Sequence, residues 1–166
     1  MERIYTPWRS TYVTTADEAT GCFLCEKPLE DADERNLIVF RGDQVFAVLN
    51  LFPYNTGHVL VAPYMHGGDL TALNSATAAD LMEVTRMVVG ALREEYRPDA
   101  FNVGMNLGRP AGAGVPNHVH MHVVPRWTGD TNFMPVLAET KVLPESLEQT
   151  YARVHARLHG ERDAAT

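Results

Sequence analysis

Three histidines alternate with apolar residues in one short segment, His118-Val119-His120-Met121-His122-Val123-Val124. Successive side chains of a β-strand point to opposite faces, so the segment predicts a strand with all three imidazoles on one face. The other face is apolar and is expected to pack on a core. Residues two apart in a strand are separated by about 6.6–6.8 Å, so the imidazoles form a row that can engage a chain of phosphates or a metal ion.

Length and charge restrict the class of protein. The chain has 166 residues, of which 45% are hydrophobic, and we expect one domain over residues 1–166 that folds without disulfides. Lys and Arg number 14 against 21 Asp and Glu, and the net charge of −7 argues against a nucleic-acid partner. Apolar runs such as 59–63 are far shorter than the roughly 18 to 20 residues of a membrane span, and residues 1–13 lack a hydrophobic signal core. We therefore expect a soluble, cytoplasmic protein without a membrane partner.

Short β-prone runs around one long helical pattern predict an α+β fold. The turn Gly42-Asp43 separates two such runs and is typical of a hairpin. We expect about five antiparallel strands with a helix packed on one face. The strands are expected at residues 37–41, 44–50, 58–62, 100–107 and 118–126.

Two helices are expected, and the first 35 residues are interpreted as an arm and loops. Residues 77–97 carry apolar side chains at helical spacing, with Ser75 or Thr77 as N-cap and Asp80 placed to reach back to the first turn. Pro98 ends this helix. Residues 145–158 form a second amphipathic helix at the C-terminus.

The alternating motif, continued through Pro125-Arg126, resembles the signature of the histidine triad (HIT) superfamily of nucleotide hydrolases and transferases. Residues 46–50 and 57–63 are similar to that family's nucleotide-binding hairpin and third strand. The resemblance covers about residues 22–127, which leaves an N-terminal arm at 1–21 and a C-terminal extension at 128–166. It implies a HIT-like fold and a homodimer.

The ends of the chain resemble one branch of this superfamily, which processes diadenosine polyphosphates and includes phosphorylases. The similar segments are residues 5–9 and 125–144. The resemblance implies an enzyme that cleaves a small nucleotide such as diadenosine tetraphosphate (Ap4A).

The resemblance assigns roles to the histidines. His120 corresponds to the nucleophile, whose attack on the α-phosphorus gives a nucleotidyl-imidazole intermediate. A backbone carbonyl near His118 corresponds to the group that fixes its tautomer. His122 and His58 correspond to residues that contact phosphate oxygens and stabilise the charge of the transition state.

Further residues are candidates for substrate contacts. Asn50 resembles the family's ribose-binding residue, and Asn106 resembles a phosphate or backbone contact. The apolar candidates for the base pocket, which as a class are more often core, are Phe46, Leu49 and Leu37. The candidates for the distal phosphates are Arg109, Arg126 and Lys141, and the role of Trp8 and Trp127 is open.

One position departs from the familiar hydrolase pattern. Gly114 lies four residues before the first triad histidine, where many hydrolases of the family carry a glutamine. The main expectation is a nucleotide hydrolase or transferase, and phosphorolysis of Ap4A by inorganic phosphate is the alternative that this glycine favours. A nucleoside phosphoramidate hydrolase, a non-catalytic adenine nucleotide-binding module and a purely metal-binding protein also remain open.

Cys22 and Cys25 form a C-x-x-C pair, which is typical of a redox dithiol or half a zinc site and also occurs by chance. The resemblance adds His66 and His118 as partners, which implies a structural zinc site with two cysteine and two histidine ligands. No catalytic metal is expected, and Mg²⁺ enters only as an ion that can accompany a polyphosphate. His155 and His159 have no assigned role.

Overall fold

A five-stranded antiparallel sheet forms the centre of the structure, a computed structural model that describes residues 21–131 and 143–164. Its spatial order is β1-β2-β3-β5-β4, and every neighbouring pair is antiparallel. The predicted α+β class is confirmed. The strands are β1 (Ile38–Arg41), β2 (Val45–Leu49), β3 (Val59–Pro63), β4 (Ala100–Gly104) and β5 (Met121–Arg126).

Four α-helices lie in the described residues, α1 (Phe23–Glu26), α2 (Asp33–Asn36), α3 (Ser75–Tyr96) and α4 (Leu147–Ala164). The interpretation of residues 21–35 as loops is wrong, because α1 and α2 lie there. Each has one turn, which is too short to show a helical period in the sequence. Within the described part of the chain, no helix is long and apolar enough to cross a membrane.

The ends of α3 differ from the expected caps. Asn74 is the N-cap, and its side-chain oxygen accepts from the Thr77 N–H over 2.8 Å. Asp80 does not reach back along the helix; it accepts from the Gln44 N–H at 2.7 Å and so ties α3 to the β1–β2 hairpin. The helix ends at Tyr96, as the following Pro98 predicts, with Arg97 in the left-handed conformation at φ 46°.

The two faces of the sheet bury different clusters. On one face Val59, Val61 and Val123 pack against apolar side chains of α3 and α4. On the other face Phe46 and Leu60 pack against the α1 segment. Because side chains alternate along a strand, every residue in register with Leu60 lies on the face away from α3 and α4.

The triad segment begins outside the ladder. β5 starts at Met121, three residues later than expected, and the Val119 N–H donates instead to the Gly67 carbonyl at 2.7 Å. The chain at Gly68 lies so close to this segment that a Cβ atom there would be 2.3 Å from the Pro116 oxygen. The 66–68 loop therefore helps to position the backbone at His118 and His120, both of which precede β5.

Candidate active site

His58, His120 and His122 lie together on the face of the sheet opposite α3 and α4. His122 is in register with Leu60, and its Nδ1 is 2.9 Å from Nε2 of His58 at the start of β3. The ring of His120 lies edge-on to that of His122, with centroids 4.9 Å apart. The predicted row of His118, His120 and His122 is present only in part, because His118 lies with Cys22 and Cys25 instead and His58 lies beside His122.

The tautomer of His58 follows from its donors. Its Nδ1 accepts from the Tyr54 backbone N–H at 3.0 Å and from Asn50 Nδ2 at 3.3 Å. The Asn50 amide can only donate in this direction, because its oxygen accepts from the Phe52 N–H. The neutral His58 ring therefore carries its proton on Nε2 and donates it to Nδ1 of His122.

Burial keeps His58 uncharged. Desolvation, aided by the neighbouring His122 and His120, lowers the pKa of His58 to about 3. Since His122 accepts at Nδ1, the proton of its neutral form is on Nε2. Two hydrogen bonds therefore run in the same direction: the Tyr54 N–H donates to His58 Nδ1, and His58 Nε2–H donates to His122 Nδ1.

His120 is oriented by the backbone two residues before it. Its Nδ1–H donates to the His118 carbonyl oxygen at 2.8 Å, so the lone pair of the neutral ring is on Nε2. Burial lowers the pKa of His120, while the bond to His118 works against that decrease. A neutral imidazole with its lone pair on a fixed nitrogen is the state that nucleophilic attack requires.

Cys22, Cys25, His66 and His118 form a second cluster, with one ligand atom from each lying within 4.8 Å of the others. Nδ1 of His118 is 3.4 Å from both sulfurs, and Nδ1 of His66 is 3.2 Å from Cys25 Sγ. His118 donates its Nε2–H to the Pro63 carbonyl at 2.8 Å, so the Nδ1 lone pair faces the sulfurs. This donor set could hold a metal ion and suits tetrahedral zinc.

The chemistry of the thiols also fits a cation. Burial, with the adjacent Cys22 as the next cause, raises the pKa of Cys25 to about 11. A thiol with this pKa becomes a thiolate near neutral pH only when a cation binds to it. Neither cysteine forms a disulfide.

The polar substrate candidates occupy two positions. Asn50 is buried at the end of β2 beside His58. Asn106 donates to the Gly112 carbonyl at 3.4 Å, a backbone contact that holds the loop before the triad. Gly114 lies in the same loop and is half-buried.

Phe46 and Leu49 lie on opposite faces of β2, because they are three residues apart. Phe46 is fully buried on the histidine face and stacks on Tyr64 with centroids 5.3 Å apart. Leu49 is buried in the cluster under α3. The two side chains therefore do not line one base pocket, and both belong to the core, as does the adjoining part of Leu37.

Arg126 and Arg109, two candidates for contacts with the distal phosphates, lie in different parts of the structure. Arg126 is bound by both oxygens of Asp130, at 2.6 and 2.9 Å, and by Asn102 at 2.7 Å, so its guanidinium braces the end of β5. Arg109 is exposed on the 3₁₀ turn Arg109–Ala111. Trp127 is half-buried and donates its backbone N–H to Asp130 at 3.1 Å. Lys141 and Trp8 lie outside the described residues.

Sequence reasoning missed Tyr54, whose ring packs on both His58 and His122. The only signal for it was an aromatic residue in the turn between Asn50 and His58.

Comparisons with known proteins agree with this geometry. The HIT domain family model matches residues 32–129. The AP-4-A phosphorylase of Mycobacterium tuberculosis is 39% identical over 157 residues, which cover 90% of this chain and 80% of that protein.

Solved structures with the same fold include two from the histidine triad group. A hypothetical histidine triad nucleotide-binding protein from Sulfolobus tokodaii has a TM-score of 0.68 at 23% identity, covering 87% of this chain and 96% of that one. A Zn-bound histidine triad family protein from Mycobacterium smegmatis has a TM-score of 0.62 at 22% identity, covering 93% and 96%. The chain belongs to the HIT domain family.

Proposed function

We propose that this protein cleaves dinucleoside polyphosphates such as Ap4A through a nucleotidyl intermediate on His120. The observation that carries the proposal is the fixed lone pair on Nε2 of His120, next to the donor chain of His58 and His122. The name of the mycobacterial relative, AP-4-A phosphorylase, supports the choice of substrate.

The first step forms a bond between His120 Nε2 and the α-phosphorus of Ap4A and breaks the bond from that phosphorus to the bridging oxygen. ATP leaves, and AMP stays on the imidazole. His122 donates from Nε2 to a phosphate oxygen, and the proton that His58 supplies to its Nδ1 holds it in that orientation. The His118 carbonyl stabilises the positive charge that develops on the His120 ring.

We infer that inorganic phosphate is the acceptor in the second step. A phosphate oxygen attacks the phosphorus, the N–P bond breaks, and ADP leaves while His120 regains its lone pair. Two observations support phosphate over water. Gly114 has no side chain at the position where many hydrolases of the family carry glutamine. The 39% identical relative from Mycobacterium tuberculosis is named a phosphorylase.

The products distinguish the two acceptors. Ap4A incubated with phosphate should give ADP and ATP, whereas hydrolysis would give AMP and ATP. His120→Ala should abolish both, while the matched His155→Ala on α4 should leave turnover unchanged. Turnover by His120→Ala at the parent rate would contradict the mechanism.

We propose that the cysteine–histidine cluster binds zinc and that this ion has a structural role. The mixed sulfur and nitrogen donors support zinc. Because structural zinc has four ligands, these four side chains leave no coordination position for substrate. Metal analysis should find one zinc per chain and none after Cys25→Ser. Mg²⁺ remains a proposed companion of the polyphosphate rather than a ligand of the protein.

We further propose a homodimer in the cytoplasm. β4 is an edge strand, bonded only to β5 among the described strands, and most of its residues are exposed, including Val103 at 46%. Such an edge can pair with a second copy. The absence of a disulfide between Cys22 and Cys25 suits a reducing compartment. Sedimentation should give a dimer, and Val103→Lys should shift it towards monomer.

A further inference from the structure

Cys22 and Cys25 lie at the two ends of one tight turn. The Cys25 N–H donates to the Cys22 carbonyl at 2.8 Å, and the Glu26 N–H donates to the same oxygen at 3.0 Å. A turn closed by the first of these bonds holds its end Cα atoms within about 7 Å, and a disulfide joins Cα atoms up to roughly 6.8 Å apart. The two sulfurs lie within 4.8 Å of each other. The backbone at this turn is therefore compatible with a disulfide.

The turn is anchored at its centre and open to solvent on one side. Leu24 is fully buried and packs in the cluster with Phe46 and Leu60, so the backbone can keep its position while the sulfurs move. Both cysteines are half-buried, and His66, whose Nδ1 is 3.2 Å from Cys25 Sγ, is exposed. A small oxidant can therefore reach the sulfurs from the side of His66.

We propose that hydrogen peroxide closes Cys22 and Cys25 into a disulfide, which releases zinc and lowers the rate at the histidine site. This inference rests on the proposed zinc site, because zinc-binding sulfurs are thiolates and the thiolate is the form of cysteine that attacks a peroxide. Cytosolic disulfides of this kind are transient and serve to sense oxidants.

The oxidation has two steps. In the first, one cysteine sulfur bonds to a peroxide oxygen, the O–O bond breaks and hydroxide leaves, which gives a sulfenic acid. In the second, the other sulfur attacks the oxidised one, the S–O bond breaks and another hydroxide leaves. With two protons from water, each peroxide yields one disulfide and two water molecules, so the sulfurs lose two electrons and the peroxide gains them.

The disulfide acts on the histidine site through His118. Its sulfurs are no longer anionic ligands, so only His66 and His118 remain, and structural zinc requires four. The His118 Nδ1 is 3.4 Å from both sulfurs, while the His118 carbonyl accepts from His120 Nδ1 at 2.8 Å. Loss of the ion thus loosens the segment that orients His120. Loss of a supporting group at a metal site costs roughly 10- to 100-fold in affinity or activity, so we expect kcat to fall about tenfold.

The test treats the zinc-loaded protein with hydrogen peroxide, removes the excess with catalase and makes three measurements. Alkylation of the denatured protein followed by intact mass counts free thiols, a colorimetric chelator measures released zinc, and Ap4A turnover gives kcat. We expect both thiols of the chain to disappear together with one zinc per chain. Dithiothreitol followed by zinc should restore the thiols, the bound metal and kcat.

Two variants control for oxidation elsewhere. Met65 is 47% exposed and adjoins His66 in the chain, so Met65→Leu removes a competing sulfur and should respond to peroxide as the parent does. Cys22→Ser retains one thiol and should form no disulfide within the chain. Methionine sulfoxide requires its own reductases, so recovery with dithiothreitol points to the cysteines.

Four results would overturn the inference. Both thiols and the zinc could persist in peroxide, or zinc could leave while both cysteines still react with the alkylating reagent. A disulfide between two chains, seen as a dimer on a non-reducing gel, would contradict the proposed pairing. Full kcat in the oxidised, zinc-free protein would break the link to His120. The thiol and zinc measurements do not require Ap4A to be the substrate, so a parent that fails to cleave Ap4A would overturn the proposed function alone.

Discussion

The carbonyl of His118 accepts the Nδ1–H of His120 at 2.8 Å, while the imidazole of His118 lies 3.4 Å from the sulfurs of Cys22 and Cys25. His118 thus belongs to the cysteine–histidine cluster through its side chain and orients the proposed nucleophile through its backbone. A change in the cluster should therefore reach His120 without any contact to substrate.

Cys25→Ser should lower zinc affinity at least about 100-fold. Mutation of groups that only support metal ligands already lowers metal affinity by roughly 10- to 100-fold, and Cys25 is itself a proposed ligand. Because His118 then loses its anchor, the apparent melting temperature and kcat should fall together. Calorimetry and turnover of the same preparations measure both. Full kcat in a zinc-free Cys25→Ser protein would separate the cluster from the nucleophile.

Two adjacent glycines offer a matched pair of variants. A Cβ atom at Gly68 would be 2.3 Å from the Pro116 carbonyl and 3.1 Å from Asn117 Cα, whereas a Cβ atom at Gly67 would meet nothing within 4 Å. Gly68→Ala should destabilise the protein by about 1–3 kcal/mol and weaken zinc retention, since it pushes the 66–68 loop from the triad segment. Gly67→Ala should change chemical denaturation little. Equal midpoints for the two variants would show that the close approach is unimportant.

Acid should destabilise this fold through His58. Its folded pKa of about 3 is below the ordinary value of 6.5, so between these values the unfolded chain binds a proton that the folded protein does not. The free energy of unfolding should therefore fall by a few kcal/mol, an order-of-magnitude figure, as the pH decreases from about 7 to 4. Urea denaturation across this range measures the slope. His58→Gln should reduce this slope without abolishing it, because burial also lowers the pKa values of His118, His120 and His155.

Arg126→Gln tests the structural role of this arginine. Because Arg126 binds Asp130, whose side chain is only 7% exposed, its loss leaves a poorly solvated carboxylate. We expect a lower melting temperature and a KM for Ap4A within about twofold of the parent, since Asp130 already pairs with this charge. A large rise in KM with unchanged stability would restore the phosphate role.

Local patterns predicted much of this structure. Alternation predicted the face of His122, although His118 and His120 lie before β5, and helical spacing located α3 to within two residues at its start. Contacts between distant segments were not accessible in this way. The opposite orientation of Phe46 and Leu49 depends on which face each helix covers, and the pairing of Arg126 depends on a turn four residues later.

The tautomers of the site histidines could not be predicted from the sequence either. They depend on the Asn50 amide, the Tyr54 backbone and the Pro63 carbonyl, which meet the histidines only after the sheet has formed. The four candidate metal ligands were identified through the family resemblance, because Cys25 and His66 are 41 positions apart in the sequence.

The nucleotidyl intermediate on His120 is tested most directly by rapid quenching of the enzyme with Ap4A in the absence of phosphate, followed by mass spectrometry of its peptides. The account predicts one AMP on the peptide that contains residues 118–122, bonded to His120, and its disappearance as ADP when phosphate is added. Steady turnover of Ap4A with AMP attached to another residue, or with no adduct at any quench time, would contradict it.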